Sequence, residues 1–236
     1  MKDIIKYQGF EIGLADHGSS VNLAHLIDLT EQEGEDSERL LEGRGFVLRT
    51  EIPPFGPVVL KQYHRGGLLG KINSSYYLRF SMNRPAHEYR LLEFVRSNQI
   101  EAPKPLAWLT KGKLFYQGWL LMEEIKYKYS LADCHTLSPE EVSSVLGSFS
   151  VLVEKLIRAR IYHVDLHPGN VLVDANGKVS LIDFDKACIF SGPANILRDK
   201  YLCRWRRAVI KHGLPDFLSE HVCALLRKNF GAELTI

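Results

Sequence analysis

The chain has 236 residues, of which 45% are hydrophobic and 25% charged, and a formal net charge of +2. This length fits one large domain or two smaller lobes, and the composition is that of an ordinary soluble globular protein with no sign of a nucleic-acid partner. The four cysteines form no Cys-x-x-Cys pair, which argues against a disulfide framework or structural zinc site and favours a reducing cytoplasm. No run is apolar enough to span a bilayer, and the first residues lack the apolar region of a signal peptide.

The first predicted elements are strands. Apolar positions in residues 4–12 favour an early strand, and the acidic segment 31–38 is expected to be a solvated loop or helix edge. Residues 40–50 have the pattern strand, glycine turn, strand. Without side chains at Gly43 and Gly45, the backbone can approach a phosphate group closely. Because the pattern is only Gly-x-Gly, a plain β-hairpin is the alternative.

The next strand, Val58 to Tyr63, carries Lys61 near its end. A lysine that ends an apolar strand after a glycine turn matches the protein-kinase strand whose lysine reaches the α- and β-phosphates of ATP. The alternative is a lysine in solvent. Such a lysine needs a carboxylate to hold it, and the helix predicted for residues 85–96 offers Glu88, with Glu93 as the alternative.

The stretch from Tyr63 to Ala86 contains no acidic residue. Its basic residues are interleaved with leucines, isoleucine and aromatic residues, which suits a surface that meets anionic lipid head groups. The alternative is a flexible connection whose apolar residues pack on the lobe. The basic residues are Arg65, Lys71, Arg79 and Arg84.

The next long apolar stretch is predicted to form a strand that leaves the first lobe. In kinases this stretch becomes a hinge whose backbone receives adenine. We place the hinge at Met122 to Ile125, with Glu123 and Ile125 as nucleotide contacts. Residues 1–122 would then form the N-terminal, nucleotide-binding lobe, and residues 123–236 the C-terminal lobe with the catalytic loop and the metal-binding aspartate.

A long helix predicted for residues 138–160 leads to the most informative motifs of the chain. Asp165 and Asn170 lie on one loop, and Asp183 follows a short apolar run, as in the catalytic machinery of protein-kinase-like phosphotransferases. Asp165 would orient an acceptor hydroxyl and take its proton, and Asn170 and Asp183 would hold Mg²⁺. A hairpin predicted for residues 171–182 should bring Asn170 and Asp183 together.

The remaining features are interpreted as structural. His163 and His167 flank Asp165, but no third ligand lies nearby in the sequence for a zinc site, and His163 is expected to be a buried hydrogen-bonding residue that shapes the loop. Helices are predicted for residues 196–212 and 214–230. The first of these is rich in arginine, which indicates either a solvated face or an anion-binding surface.

These motifs together resemble those of the bacterial lipopolysaccharide kinases, most closely the Kdo (3-deoxy-D-manno-octulosonic acid) kinases. The resemblance implies an α+β, protein-kinase-like two-lobe fold with an antiparallel sheet in the N-terminal lobe and a reduced, mainly helical C-terminal lobe. It implies use of ATP and Mg²⁺ to phosphorylate the 4-hydroxyl of Kdo on a lipid A precursor in lipopolysaccharide core biosynthesis. The site would be the cytoplasmic face of the bacterial inner membrane, with the enzyme bound peripherally to its anionic surface, and we expect a monomer. The shared motifs are Gly43-Arg-Gly45, Arg65-Gly-Gly67 after the strand lysine, Glu88-Tyr-Arg-Leu-Leu92, Tyr162-His-x-Asp165-Leu166, Asn170-Val-Leu172, Leu181-Ile-Asp183-Phe184-Asp185 and the arginine-rich late helix.

One departure leaves alternatives open. The loop Asp165-Leu-His-Pro-Gly-Asn170 is also found in aminoglycoside phosphotransferases, so a small-molecule phosphotransferase or a heptose kinase of the same pathway are alternatives. A protein kinase is less favoured, because no Ala-Pro-Glu motif follows Asp183. From a different class, a membrane-associated pseudokinase-like binding module is the alternative, although the catalytic residues are all present.

Overall fold

The contacts of the chain divide it into two compact units. The first comprises Met1–Glu93 and Lys104–Glu124, and the second Phe94–Pro103 and Ile125–Ile236. Helices and antiparallel sheets occur together, which confirms the predicted α+β class. The structure, a computed structural model, describes residues 4–15, 21–31, 47–63, 77–78, 83–113, 115–136 and 138–231.

The first unit is built on an antiparallel sheet. Its strands are β1 (Ile5–Tyr7), β2 (Phe10–Leu14), β3 (Val47–Ile52), β4 (Gly56–Gln62), β5 (Tyr77–Leu78), β6 (Pro105–Lys111) and β7 (Phe115–Glu123), and its helices are α1 (Leu23–Glu31) and most of α2 (Arg84–Ser97). The strands run in the order β1-β2-β6-β7-β4-β3, and β5 pairs with β7. Strand β4 therefore lies between β3 and β7, a position that gives Lys61 a fixed backbone.

Alternation along β4 explains how the sheet forms its core. Val58 and Leu60 are buried, and they share one apolar cluster with Leu26 of α1. Close packing of β2 on β6 requires a residue without a side chain, because a Cβ at Gly13 would lie 2.1 Å from the Trp108 indole nitrogen. Burial of these apolar residues supplies most of the driving force that holds the unit together.

The beginning of the chain differs in part from the sequence prediction. The early strand expected over residues 4–12 is a hairpin of two strands, β1 and β2, because Gln8 and Gly9 both take positive φ angles (46° and 80°) and turn the chain. Helix α1 follows and was not predicted. Residues 32–46, with Gly43, Gly45 and most of the acidic segment, lie outside the described part of the chain.

The second unit is mainly helical. Its elements are β8 (Tyr129–Ser130), α3 (Pro139–Arg158), β9 (Ile161–Tyr162), β10 (Val171–Val173), β11 (Val179–Leu181), β12 (Cys188–Ile189), α4 (Ala194–Lys211) and α5 (Phe217–Gly231), with 3₁₀ turns at Leu131–Thr136 and Pro168–Asn170. Strands β11, β10 and β8 form one small sheet, and β12 pairs with β9. Within the described ranges, no helix has both the length and the apolar character needed to cross a bilayer.

Local sequence signals account for the helices of this unit. The Ser138 side chain accepts from the backbone N–H of Glu141, and the Glu141 carboxylate accepts from the Ser138 N–H, so α3 begins with a capping box. Phe149 of α3 packs on Trp205 of α4 with ring centroids 4.4 Å apart. Helix α4 has an apolar stripe with one residue every four positions, and all four side chains of this stripe are buried: Leu197, Tyr201, Trp205 and Val209.

Candidate active site

In the first unit, the structure brings Lys61 and Glu88 together. The Lys61 ammonium lies 3.2 Å from both carboxylate oxygens of Glu88, on α2, and Glu93 is not its partner. The Tyr63 hydroxyl donates to the same carboxylate. Because only 2% of Glu88 is exposed, its charge needs such partners to remain buried. The result is a lysine whose ammonium is held in one place.

Two further residues belong to this cluster. The Arg84 guanidinium lies over the Tyr63 ring, 5.8 Å from its centroid, and Lys61 approaches the same ring at 5.4 Å. The backbone N–H of Arg84 donates to the Tyr116 hydroxyl. Arg84 is half-buried, so it is less available to a lipid surface than the sequence alone indicates. The other basic residues of the 63–86 stretch lie outside the described residues.

The remaining predicted nucleotide contacts are placed only in part. Glu123 ends β7, where its N–H donates to the Lys104 carbonyl (2.9 Å) and its carboxylate pairs with the Lys104 ammonium (2.9 Å). Because the backbone N–H of Glu123 is already hydrogen-bonded, adenine could contact only the backbone carbonyl of this residue. Ile125 is half-buried and begins the stretch assigned to the second unit. Gly43 and Gly45 lie outside the described residues.

In the second unit, His163 anchors the catalytic loop. Its ring is fully buried, and Nε2 donates to the Ile182 carbonyl (2.9 Å), since that oxygen can only accept. Its backbone N–H donates to the Tyr201 hydroxyl, which in turn donates to the Ile161 carbonyl. Burial lowers the pKa of His163 and outweighs the opposing effects of the hydrogen bond to Ile182 and of nearby carboxylates, so the ring is neutral at neutral pH. The predicted structural role of His163 is confirmed.

The predicted hairpin is also confirmed, and it places Asn170 beside the segment that ends in Asp183. Strands β10 and β11 pair from Val171 to Leu181, and the Ile182 N–H donates to the Asn170 carbonyl (3.1 Å). The side-chain amide of Asn170 donates to the backbone carbonyl of Asp165 (3.0 Å). One local network therefore connects the loop that carries Asp165 to the strand that precedes Asp183.

Asp165 has two cationic partners that no sequence motif indicated. The Arg204 guanidinium of α4 donates to one carboxylate oxygen, and the Lys186 ammonium lies 3.1 Å from the other. Burial alone would raise the pKa of Asp165. The hydrogen bond and charge of Lys186 and the charge of Arg204 outweigh that effect and hold the pKa below its ordinary value of 3.8. Asp165 is therefore a carboxylate at neutral pH.

The donor groups at this end of the hairpin fit Mg²⁺. This ion prefers oxygen ligands and takes only one or two from a protein, with the rest from phosphate and water. The side-chain nitrogen of Asn170 is hydrogen-bonded to the backbone carbonyl of Asp165, so the side-chain oxygen of Asn170 is the atom that could bind a metal. Asp183 supplies a carboxylate from a left-handed backbone conformation (φ 63°). In the described ranges no group of three or more His, Cys, Asp or Glu side chains has a metal-binding arrangement.

The sequence of the chain also matches a known family. A profile described as "Lipopolysaccharide kinase (Kdo/WaaP) family" matches residues 31–216, which is most of the chain. The protein therefore belongs to the Kdo/WaaP lipopolysaccharide kinase family, whose fold is protein-kinase-like.

Curated relatives carry a more specific name. A 3-deoxy-D-manno-octulosonic acid kinase of Stenotrophomonas maltophilia (strain R551-3) is 36% identical over 167 residues. Relatives of the same name from Xanthomonas campestris pv. campestris (strain B100) and Xanthomonas oryzae pv. oryzae (strain PXO99A) are 34% and 35% identical over 162 residues. Each match covers 67% of this chain and 64% of the relative, so the chain spans somewhat less than two thirds of these relatives.

Proposed function

We propose that this protein transfers the γ-phosphate of ATP to the 4-hydroxyl of Kdo on a lipid A precursor, in lipopolysaccharide core biosynthesis. The observation that carries the proposal is the network that joins Asp165, Asn170 and the strand before Asp183 in the second unit. Membership of the lipopolysaccharide kinase family and the names of the relatives support the choice of acceptor.

In this proposal each residue of the site has a separate role in phosphoryl transfer. The acceptor oxygen attacks the γ-phosphorus, the bond to the β-phosphate oxygen breaks, ADP leaves, and Asp165 takes the hydroxyl proton. Asn170 and Asp183 would hold Mg²⁺, and the ion would neutralise charge on the phosphates. Lys61, oriented by Glu88, pairs with the α- and β-phosphates.

We also propose a division of labour along the chain. Residues 1–122 serve the nucleotide, with Gly43 and Gly45 near the phosphates, and residues 123–236 serve catalysis and the acceptor. Adenine contacts the backbone at Glu123 and Ile125. A lipid-linked acceptor requires contact with an anionic membrane surface, so we propose a peripheral protein of the inner membrane, monomeric and without a nucleic-acid partner.

The test measures transfer from radiolabelled ATP to three acceptors in parallel: Kdo-bearing lipid A precursor, a heptosylated core, and kanamycin. Phosphorylation of the first is expected. Asp165→Asn should reduce the rate roughly a hundredfold to ten-thousandfold without loss of nucleotide affinity, because the carboxylate acts on the hydroxyl.

The matched control is Asp199→Asn. Asp199 is an exposed aspartate of the same unit that pairs with Arg198, and its loss should leave turnover within a few-fold of wild type. Preferred turnover of the heptosylated core or kanamycin would assign the enzyme to one of those alternatives. No turnover of any acceptor, with intact ATP binding, would favour a binding module.

A further inference from the structure

The cations around Asp165 outnumber the carboxylate that they bind. Arg204 and Lys186 carry two positive charges, and Asp165 carries one negative charge. The negative charge of Asp183 also affects Asp165, but the proposed function assigns the Asp183 carboxylate to Mg²⁺. One positive charge next to the catalytic aspartate is therefore left for an anionic group of the reactants.

The two cations are not equivalent. Arg204 lies on α4 with 31% of its side chain exposed, and its Nε also donates to the Leu166 carbonyl (3.4 Å). It is held to the loop at two points and is suited to fix the position of Asp165. Lys186 lies in a turn after Phe184 with 60% of its side chain exposed, and in the described part of the chain its ammonium group forms an ion pair with Asp165. An ammonium group has three donors, so Lys186 has two to offer to a second partner.

The proposed acceptor supplies a partner of the right charge. The relatives are named for an octulosonic acid, and such a sugar has a carboxylate a few bonds away from its 4-hydroxyl. A hydroxyl placed at Asp165 would bring that carboxylate near a cation that already touches Asp165. The γ-phosphoryl group of ATP is the other source of anionic oxygen at the same place.

We infer that Lys186 is an acceptor-binding residue, whose ammonium pairs with the carboxylate of the sugar acid while Asp165 orients the hydroxyl. This inference rests on the proposed function. Arg204 is the positioning residue that keeps Asp165 in place. Asp165, Lys186 and Arg204 would together recognise a sugar that has both a hydroxyl and a nearby carboxylate. A neutral sugar has no such carboxylate.

The experiment compares wild type and Lys186→Met on two acceptors: Kdo-bearing lipid A precursor and the same compound with its Kdo carboxylate converted to a methyl ester. For the acid, the variant should raise the acceptor KM roughly ten- to a hundredfold, the effect of losing one charge-assisted hydrogen bond. For the ester, the variant and wild type should have similar KM values. The kcat should change by only a few-fold, and Lys186→Arg should restore most of the loss.

The matched control is Lys178→Met. Lys178 is 56% exposed and pairs with Glu101 at 2.9 Å, an exposed lysine–carboxylate pair of the same kind in the same unit. Its KM values should equal those of wild type.

Three results would overturn the inference in different ways. An increased Kd for Mg-ATP by calorimetry, with acceptor KM unchanged, would assign Lys186 to the phosphoryl group. Equal losses on acid and ester would mean that Lys186 only supports the loop. A wild-type enzyme that phosphorylates neither compound would refute the proposed function itself, and this inference with it.

Discussion

The hydroxyl of Tyr63 offers the sharpest test of the Lys61–Glu88 site, because Tyr63→Phe removes one oxygen atom and nothing else. That hydroxyl donates to a carboxylate that is 2% exposed, and both groups are buried. A hydrogen bond to a charged group contributes about 1.5–3 kcal/mol. Glu88 keeps Lys61 as a partner, so its charge is not left alone, and a loss near 2 kcal/mol is expected.

Urea denaturation of the variant should show this loss as a lower midpoint with an unchanged slope. In a thermal scan it corresponds to a decrease of about 4–8 °C in Tm for a chain of this size. The KM for ATP should also rise a few-fold, since Lys61 becomes less fixed. Tyr127→Phe is the control, because Tyr127 is 42% exposed and its change should stay within about 0.5 kcal/mol. Equal stabilities and equal KM values for the two variants would refute the reasoning.

Three further predictions concern the second unit. Asp183→Ala should abolish Mg²⁺-dependent ATP binding in calorimetry, and unchanged affinity would exclude Asp183 as a metal ligand. Burial lowers the pKa of His163 in the folded chain, so as the pH falls below about 6.5 the His163 ring is protonated in the unfolded chain before it is protonated in the folded chain. The free energy of unfolding should therefore decrease by up to about 1.4 kcal/mol for each pH unit of acidification. His163→Gln, which keeps a donor for the Ile182 carbonyl, should remove that part of the pH dependence in urea titrations at pH 7.5, 6 and 5; an unaltered slope would contradict the assignment. Ser138→Ala should lower the unfolding free energy by about 1 kcal/mol through loss of the α3 cap, and an unchanged denaturation midpoint would argue against that cap.

Elements with a local signal were predictable from the sequence. The hairpin of β10 and β11 was predicted within one residue, because Asn176-Gly177 favours a turn and apolar residues flank it; Gly177 has a φ of 79°. The start of α3 followed from serine, proline and glutamate at fixed offsets. Helix α1 was missed, since it lies in a stretch of mixed composition and its buried residues are defined by the sheet beneath them.

The site residues that were missed depend on distant parts of the chain. Arg204 reaches Asp165 across 39 positions of sequence, and Tyr63 reaches Glu88 across 25. One signal was available for Arg204: it lies seven positions after Leu197 and three after Tyr201, a helical spacing that puts it beside the buried stripe of α4, and it is half-buried, whereas Arg206 is exposed. Lys186 follows the Asp183 motif closely, but a lysine in a turn is usually solvated, and only the folded loop shows its contact with Asp165.

The left-handed backbone at Asp183 has a consequence for how this family could lose its activity. Glycine and asparagine adopt positive φ angles more readily than other residues. Neither has a carboxylate. The substitutions that the backbone accepts most easily at this position therefore remove the negative charge of the proposed metal ligand, and a folded descendant with weakened Mg²⁺-dependent ATP binding is one substitution away.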